Sequence, residues 1–157
     1  MSDTTRSDMR PADQLYAGIQ LTRPLLRNIT ARVEHDLQGT GITVGQRAIL
    51  EVLLALDHAT APQITAHLDV TRQFVGRELK SLVDEGKLET EDNPAHRASK
   101  FYRLTERSRA QILSIRMREM QEIAAFAQGF TEEEIRGFYK ILTALNAAFS
   151  ETTKENQ

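Results

Sequence analysis

Along most of this chain apolar residues return at three- and four-residue intervals, the period of helices that bury one face. Leu15, Ile19, Leu26, Ile29, Val33 and Leu37 form a first, near-heptad stripe. Pro24 is placed to kink that helix or mark its effective start, and Gly39 and Gly41 close it. A shorter helix through Ile49, Leu50, Leu53 and Leu54 opens on the capping box Thr43 to Gln46. Another, holding Ile64 and Leu68, opens on the box Thr60 to Gln63, with Pro62 tolerated in a first turn where its missing amide has no partner. Val75, Leu79, Leu82 and Val83 recur at i, i+4, i+7 and i+8 in a fourth helix that Gly86 ends. Then the period changes. Leu88 to Glu91 and Lys100 to Leu104 alternate as two half-buried strands would, and the residues between them are turn formers.

Beyond the strands, Thr105 caps a long helix running to about Ala127. Its apolar residues, Ile112, Leu113, Met117, Met120, Ile123 and Phe126, spread round more of the surface than one packing contact needs, so it wants two partners. Gly129 breaks the chain, and Thr131 to Glu134 is a third capping box with acidic residues set against the helix dipole. Ile135, Phe138, Tyr139, Leu142, Leu145 and Phe149 make the last stripe.

The centre of the chain is the informative part. Asp69 suits the left-handed backbone that ends a helix, Val70 is apolar enough to plug an angle between helices, and Thr71 is a favoured N-cap. A helix, a tight turn, a second helix and a strand pair make the plan of a winged helix-turn-helix, and the fold expected is mainly α with a two-stranded wing. On the second helix Gln73, Gly76, Arg77 and Lys80 share one face, opposite the apolar stripe. Arg72, Gln73 and Arg77 suit base edges, because arginine pairs bidentately with guanine and glutamine with adenine, while Lys80 suits a phosphate. Gly76 costs a helix about 1 kcal/mol against alanine, and in return the backbone can approach a phosphate or base closely. A basic helix face is ordinarily just solvated; the turn before it and the wing after it reverse that preference. From Asn93 to Arg109 the wing carries Arg97, Lys100, Arg103, Arg107 and Arg109 against Glu106 alone, a candidate electrostatic footprint. An arginine on a thin hairpin beside a major-groove helix reaches the adjacent minor groove. The candidate DNA contacts are therefore Thr71, Arg72, Gln73, Gly76, Arg77, Lys80, Arg97 and Lys100.

From Thr43 to about Ala110 the chain resembles the MarR family of bacterial transcriptional regulators, above all in the succession VTRQFVGRELKSLVDEGKLE, then a proline-containing wing with Arg97, then FYRLTERSRA. The resemblance implies that the helix after the turn enters the major groove and that Arg97 enters the minor groove. It also implies a homodimer on a pseudo-palindromic operator, in most cases a repressor released by a small effector. Members usually carry an acidic residue just before the wing arginine, where this chain has Ala95 and His96, and many have a glycine where it has Ser108. For the effector the resemblance implies a small aromatic or phenolic anion, held between the first, second and fifth helices. Arg27, His35 and Arg116 are polar groups available there, each equally readable as a solvated residue or a dimer salt bridge, so the ligand residues stay unassigned.

The expected organisation is one domain over residues 1–157: a mobile tail to about Ala12, dimerisation helices over 14–38 and 106–150, the DNA-binding head over 43–105, and a mobile end from Thr152. Spacing alone is equally compatible with outer helices that cap a monomer's core; the resemblance favours a two-fold dimer with heads about 34 to 36 Å apart. A length of 157 residues suits one ordinary domain with no room for a catalytic domain beside the reader. The net charge of −2 looks wrong for a DNA binder until its distribution is read: acidic residues predominate beyond Met120, and local field sets the encounter with DNA. With no cysteine, disulfides, thiolate metal clusters and thiol redox sensing are excluded. The chain shows no signal peptide and no apolar run of membrane length, so a cytoplasmic protein is expected. The four histidines lie at no metal-site spacing, and neither a phosphate-binding glycine loop nor a nucleophile elbow occurs, so neither an enzyme nor a cofactor is expected. The competing reading is a winged helix used only for protein contact, which would more often carry apolar or acidic residues where Gln73, Arg77, Lys80 and Arg97 stand.

Overall fold

A computed structural model describes residues 9–154. In chain order the elements are α1 (Pro11–Asp36), α2 (Val44–Leu56), β1 (His58–Thr60), α3 (Ala61–Leu68), α4 (Arg72–Asp84), β2 (Leu88–Asp92), β3 (Lys100–Leu104), α5 (Glu106–Ala127) and α6 (Glu132–Lys154). They form two compact units whose boundary falls within α5, between Ile112 and Leu113. Residues 1–8 and 155–157 of the expected mobile ends lie outside the described residues. Inside them, α1 already begins at Pro11, at a position where a helix needs no amide, and α6 extends through Lys154. Pro24 lies within α1 and neither starts nor ends it.

In the first unit the helix ends follow local chemistry. Thr43 and Thr60 each accept a hydrogen bond from the amide three residues on, while Gln46 and Gln63 reach back to the threonine amides. Gly39, Gly41 and Gly86 take left-handed conformations at the chain reversals after α1 and α4. The core is assembled from Ile49, Leu50 and Leu53 of α2, Ile64 of α3, Val75, Leu79 and Leu82 of α4, and Ile112 of α5, all essentially buried. Each such side chain contributes roughly 1.5–3 kcal/mol by leaving water.

The sheet has three antiparallel strands in the order β1-β3-β2, not the two expected. Leu88 to Asp92 pair with Leu104 to Lys100 to form the wing, and His58 to Thr60 pair with Arg103 to Phe101 along the other edge of β3. Strand β1 has only three residues, with Ala59 its one apolar member, so it carries no alternation to detect. Pairing with β3 creates it, and the His58 ring meets the Phe101 ring edge-on at 4.9 Å.

In the second unit α6 opens on the expected capping box. The Glu134 carboxylate accepts from the Thr131 amide at 2.8 Å and hydroxyl at 2.9 Å, which holds its pKa below the usual carboxylate value. Met117, Met120, Ile123 and Phe126 of α5 and Ile135, Phe138, Tyr139 and Phe149 of α6 are exposed. No described helix is long and apolar enough to cross a membrane.

Candidate nucleic-acid interface

The turn between α3 and α4 is built as its residues dictate, with one exception. Asp69 sits in the left-handed region (φ 52°, ψ 49°) with its amide bonded to the Thr65 carbonyl, and the Thr71 hydroxyl accepts from the Phe74 amide at 3.2 Å. Val70 does not plug the angle between the helices: it is 38 % exposed. Ile64 of α3 and Val75 of α4, on either side of the turn, are buried in its place.

Helix α4 then separates its two faces cleanly. Val75, Leu79 and Leu82 are buried, while Thr71, Arg72, Gln73, Gly76, Arg77 and Lys80 are all exposed. A methyl group added at Gly76 would meet no atom within 4 Å, so the glycine leaves open space rather than accommodating a neighbour. The side chains of Arg72 and Gln73 make no hydrogen bond or ion pair among the described residues. Arg77 differs, donating to the Glu78 carboxylate and lying over the Phe74 ring. Lys80 pairs with Asp84 at 2.5 Å, and that carboxylate raises its pKa. The pair is exposed on both sides, so it contributes little and is readily exchanged for a phosphate.

The wing loop is two successive turns. The His96 amide donates to the Asn93 carbonyl at 3.1 Å, and the Ser99 amide donates to the His96 carbonyl at 2.9 Å. Asn93 also accepts from the Ala95 amide through its side chain at 3.0 Å. Arg97 occupies the first central position of the second turn; it and Lys100, at the start of β3, are exposed and make no ion pair among the described residues.

Two other basic residues of the expected footprint have a different task. Arg109 donates to Asp57 at 2.7 Å, while Arg103 lies 3.7 Å from the same carboxylate and bonds Glu91 at 2.8 Å. Asp57 has φ 66° and ψ −48° after the last turn of α2, a conformation most side chains avoid. Its carboxylate thus ties the end of α2 to β3 and to the first turns of α5. Arg107, in the first turn of α5, is exposed, so the candidate footprint keeps α4, Arg97, Lys100 and Arg107, while Asp57 engages Arg103 and Arg109. Ser108 is also structural: it is buried, and its amide and hydroxyl both bond the Thr105 hydroxyl that caps α5.

Behind α4 lies a polar network that residue spacing does not reveal. The buried Gln46 amide donates to Ser81 at 3.2 Å and to Glu85 at 2.9 Å, and Ser81 donates to Glu85 at 2.6 Å. The Lys87 ammonium donates to Glu85 and to the Gly41 carbonyl. Its bond to Glu85, with the Ser81 hydroxyl next in weight, lowers the Glu85 pKa from 4.5 to about 2. The far end of α4 is thereby fastened to the start of α2 and to the loop after α1.

Comparison with known proteins bears on what this head is. The MarR family model matches residues 40–99, from the loop before α2 to the end of the wing loop. The crystal structure of a MarR family transcription regulator shares 46% sequence identity with the chain and superposes with a TM-score of 0.86, covering 92% of this chain and 95% of the other. The chain belongs to the MarR family. That is a family of transcription regulators, not enzymes. The same fold is found at lower identity in FabT of Streptococcus pneumoniae, solved in complex with DNA, at 22% identity and a TM-score of 0.78 over 87% of this chain and 99% of FabT. It is found again in a variant of MarR from E. coli complexed with operator DNA, at 17% identity and a TM-score of 0.71 over 87% and 99%. No curated protein matches the chain.

An open depression of about 500 Å³ lies in the first unit between the end of α1 and the start of α2, lined by Glu34, Leu37, Gln38, Ile42, Thr43, Val44 and Gly45. None of Arg27, His35 and Arg116 lines it. Its one charged side chain is acidic, so it does not suit the aromatic anion that the resemblance implies.

Proposed function

We propose that this MarR family protein is a sequence-specific double-stranded DNA-binding regulator, acting as a homodimeric repressor on a pseudo-palindromic operator and released by a small-molecule effector. The observation that carries the reading is the division of α4. Val75, Leu79 and Leu82 of its apolar face are buried in the core, while Arg72, Gln73, Gly76, Arg77 and Lys80 stand together in solvent beside a wing that offers Arg97 and Lys100. Arginine and glutamine at the start of such a helix read base edges, and the lysines hold the backbone. That FabT and MarR are each seen with DNA supports the same use of the fold here. The second half of the proposal rests on the apolar residues that α1 and α6 leave exposed, which a second copy of the chain would cover.

Fluorescence anisotropy on duplex DNA from upstream of the protein's own gene, against scrambled DNA and across a salt series, tests both halves. The expected result is preferential binding at two subunits per site that weakens steeply with salt. If no duplex is preferred, even after selection from random sequences, the head is a protein-contact module instead.

A further inference from the structure

Arg77 is the one candidate base-reading side chain whose position is fixed by neighbours, and those neighbours lead back to α2. Its Nε and Nη2 groups both lie 3.1 Å from Oε1 of Glu78, whose side chain is only 14% exposed. Its guanidinium carbon stands 5.6 Å from the centre of the half-buried Phe74 ring. Phe74 and Glu78 in turn rest on Gly45, in the first turn of α2. A methyl group there would come within 3.1 and 3.2 Å of two ring carbons of Phe74 and within 3.4 Å of the Glu78 carboxyl carbon, so the ring would have to shift. Gly45 therefore makes a close approach to α4, whereas Gly76 faces open space.

We propose that Gly45, Phe74 and Glu78 form a positioning unit that sets the guanidinium of Arg77 and so determines base selectivity at the position Arg77 reads. The inference rests on the reading of Arg77 as a base contact. Of the five donors on an arginine fork, Glu78 engages the Nε edge, which leaves the terminal nitrogens to meet a guanine edge end-on. Holding the fork in one orientation removes rotamers that would bond other bases or phosphates, so selectivity rises at the expense of general affinity. Glu78 has a second effect of the same sign. Its charge beside the reading face opposes the approach of any phosphate backbone, a cost that only a correctly met base offsets.

The test uses the full-length protein and a duplex obtained by selection, with each base pair varied in turn and a scrambled duplex as reference. Arg77→Ala is expected to abolish discrimination at one base pair. Glu78→Gln, which keeps the shape of the side chain, is expected to lower discrimination at that same pair by roughly 10-fold, the scale of one bidentate contact, while binding to scrambled DNA stays constant or tightens. In the Arg77→Ala background Glu78→Gln should change discrimination no further. Gly45→Ala, whose methyl group presses on the Phe74 ring, is expected to reduce discrimination at that pair likewise. If Arg77→Ala relaxes one base pair and Glu78→Gln does not, the positioning unit is refuted while base reading stands. Equal weakening of specific and scrambled binding by Glu78→Gln refutes it as well, since that is the mark of a merely structural residue. If Arg77→Ala leaves every base pair unchanged, base reading by Arg77 fails and takes the proposal with it.

Discussion

The head between Leu37 and Ile112 and the first and last helices carry equally clear apolar stripes but meet different ends. In the head the stripes of α2, α3 and α4 converge on one another, and Ile49, Leu50, Leu53, Ile64, Val75, Leu79 and Leu82 are almost entirely removed from water. Helix α1 has no buried residue at all, and α6 leaves Ile135, Phe138 and Tyr139 in solvent. An amphipathic period states that a face will be covered; whether by the same chain or by another copy is not encoded in it. The apolar residues exposed on α1 and on α6 are the physical ground for the proposed dimer.

That contrast is broken most directly at its two ends. Phe138→Glu, on an exposed face, is expected to leave the head folded yet convert dimer to monomer in sedimentation. It should also weaken operator binding by roughly 10² or more, because the avidity of two linked heads is lost; a dimer that persists would place the interface elsewhere. Leu79→Ala, in the head, is expected to lower unfolding stability by about 2–5 kcal/mol in urea titration, the range for a buried leucine, whereas Leu26→Ala, at an exposed position of α1, should lower it only at concentrations where the dimer forms.

Gly76 sharpens the comparison within the head, between residues kept for folding and residues kept for binding. With open space around it, Gly76→Ala is expected to stabilise the fold by about 1 kcal/mol and at the same time to weaken operator binding, an opposition readable by pairing thermal melts with anisotropy. Stabilisation with unchanged affinity would remove the need for close backbone approach at that point.

The smallest expected effect concerns the network behind α4. The folded-state pKa of Glu85 is lowered from 4.5 to about 2, so its contribution is present in full above pH 4.5 and is lost as pH falls toward about 2. The urea midpoint of the wild type should therefore drop more across that window than that of Glu85→Gln. Taking the difference between the two removes the acid response of other carboxylates, including the cap at Glu134. Parallel curves would show that the Lys87 and Ser81 contacts do not outlast exchange with water.

Local chemistry was legible throughout. The caps at Thr43, Thr60, Thr71, Thr105 and Thr131, the left-handed Asp69 and Gly86, and the exposed basic face of α4 all follow from residues within four positions of one another. Such bonds close inside one helical turn, so they leave a spacing that can be read along the chain. Tertiary structure decided the rest. Strand β1 exists because β3 offers it an edge, and Val70 stays in solvent while Ile64 and Val75, on either side of the turn, are buried. Arg103 and Arg109 pair with Asp57, about fifty residues earlier, and Gln46 is a core tie as well as a cap because Ser81 and Glu85 arrive beside it. Gly45 matters through Phe74 and Glu78, residues of another helix. Partners separated by tens of residues impose no period on the sequence, and only folding brings their atoms within reach.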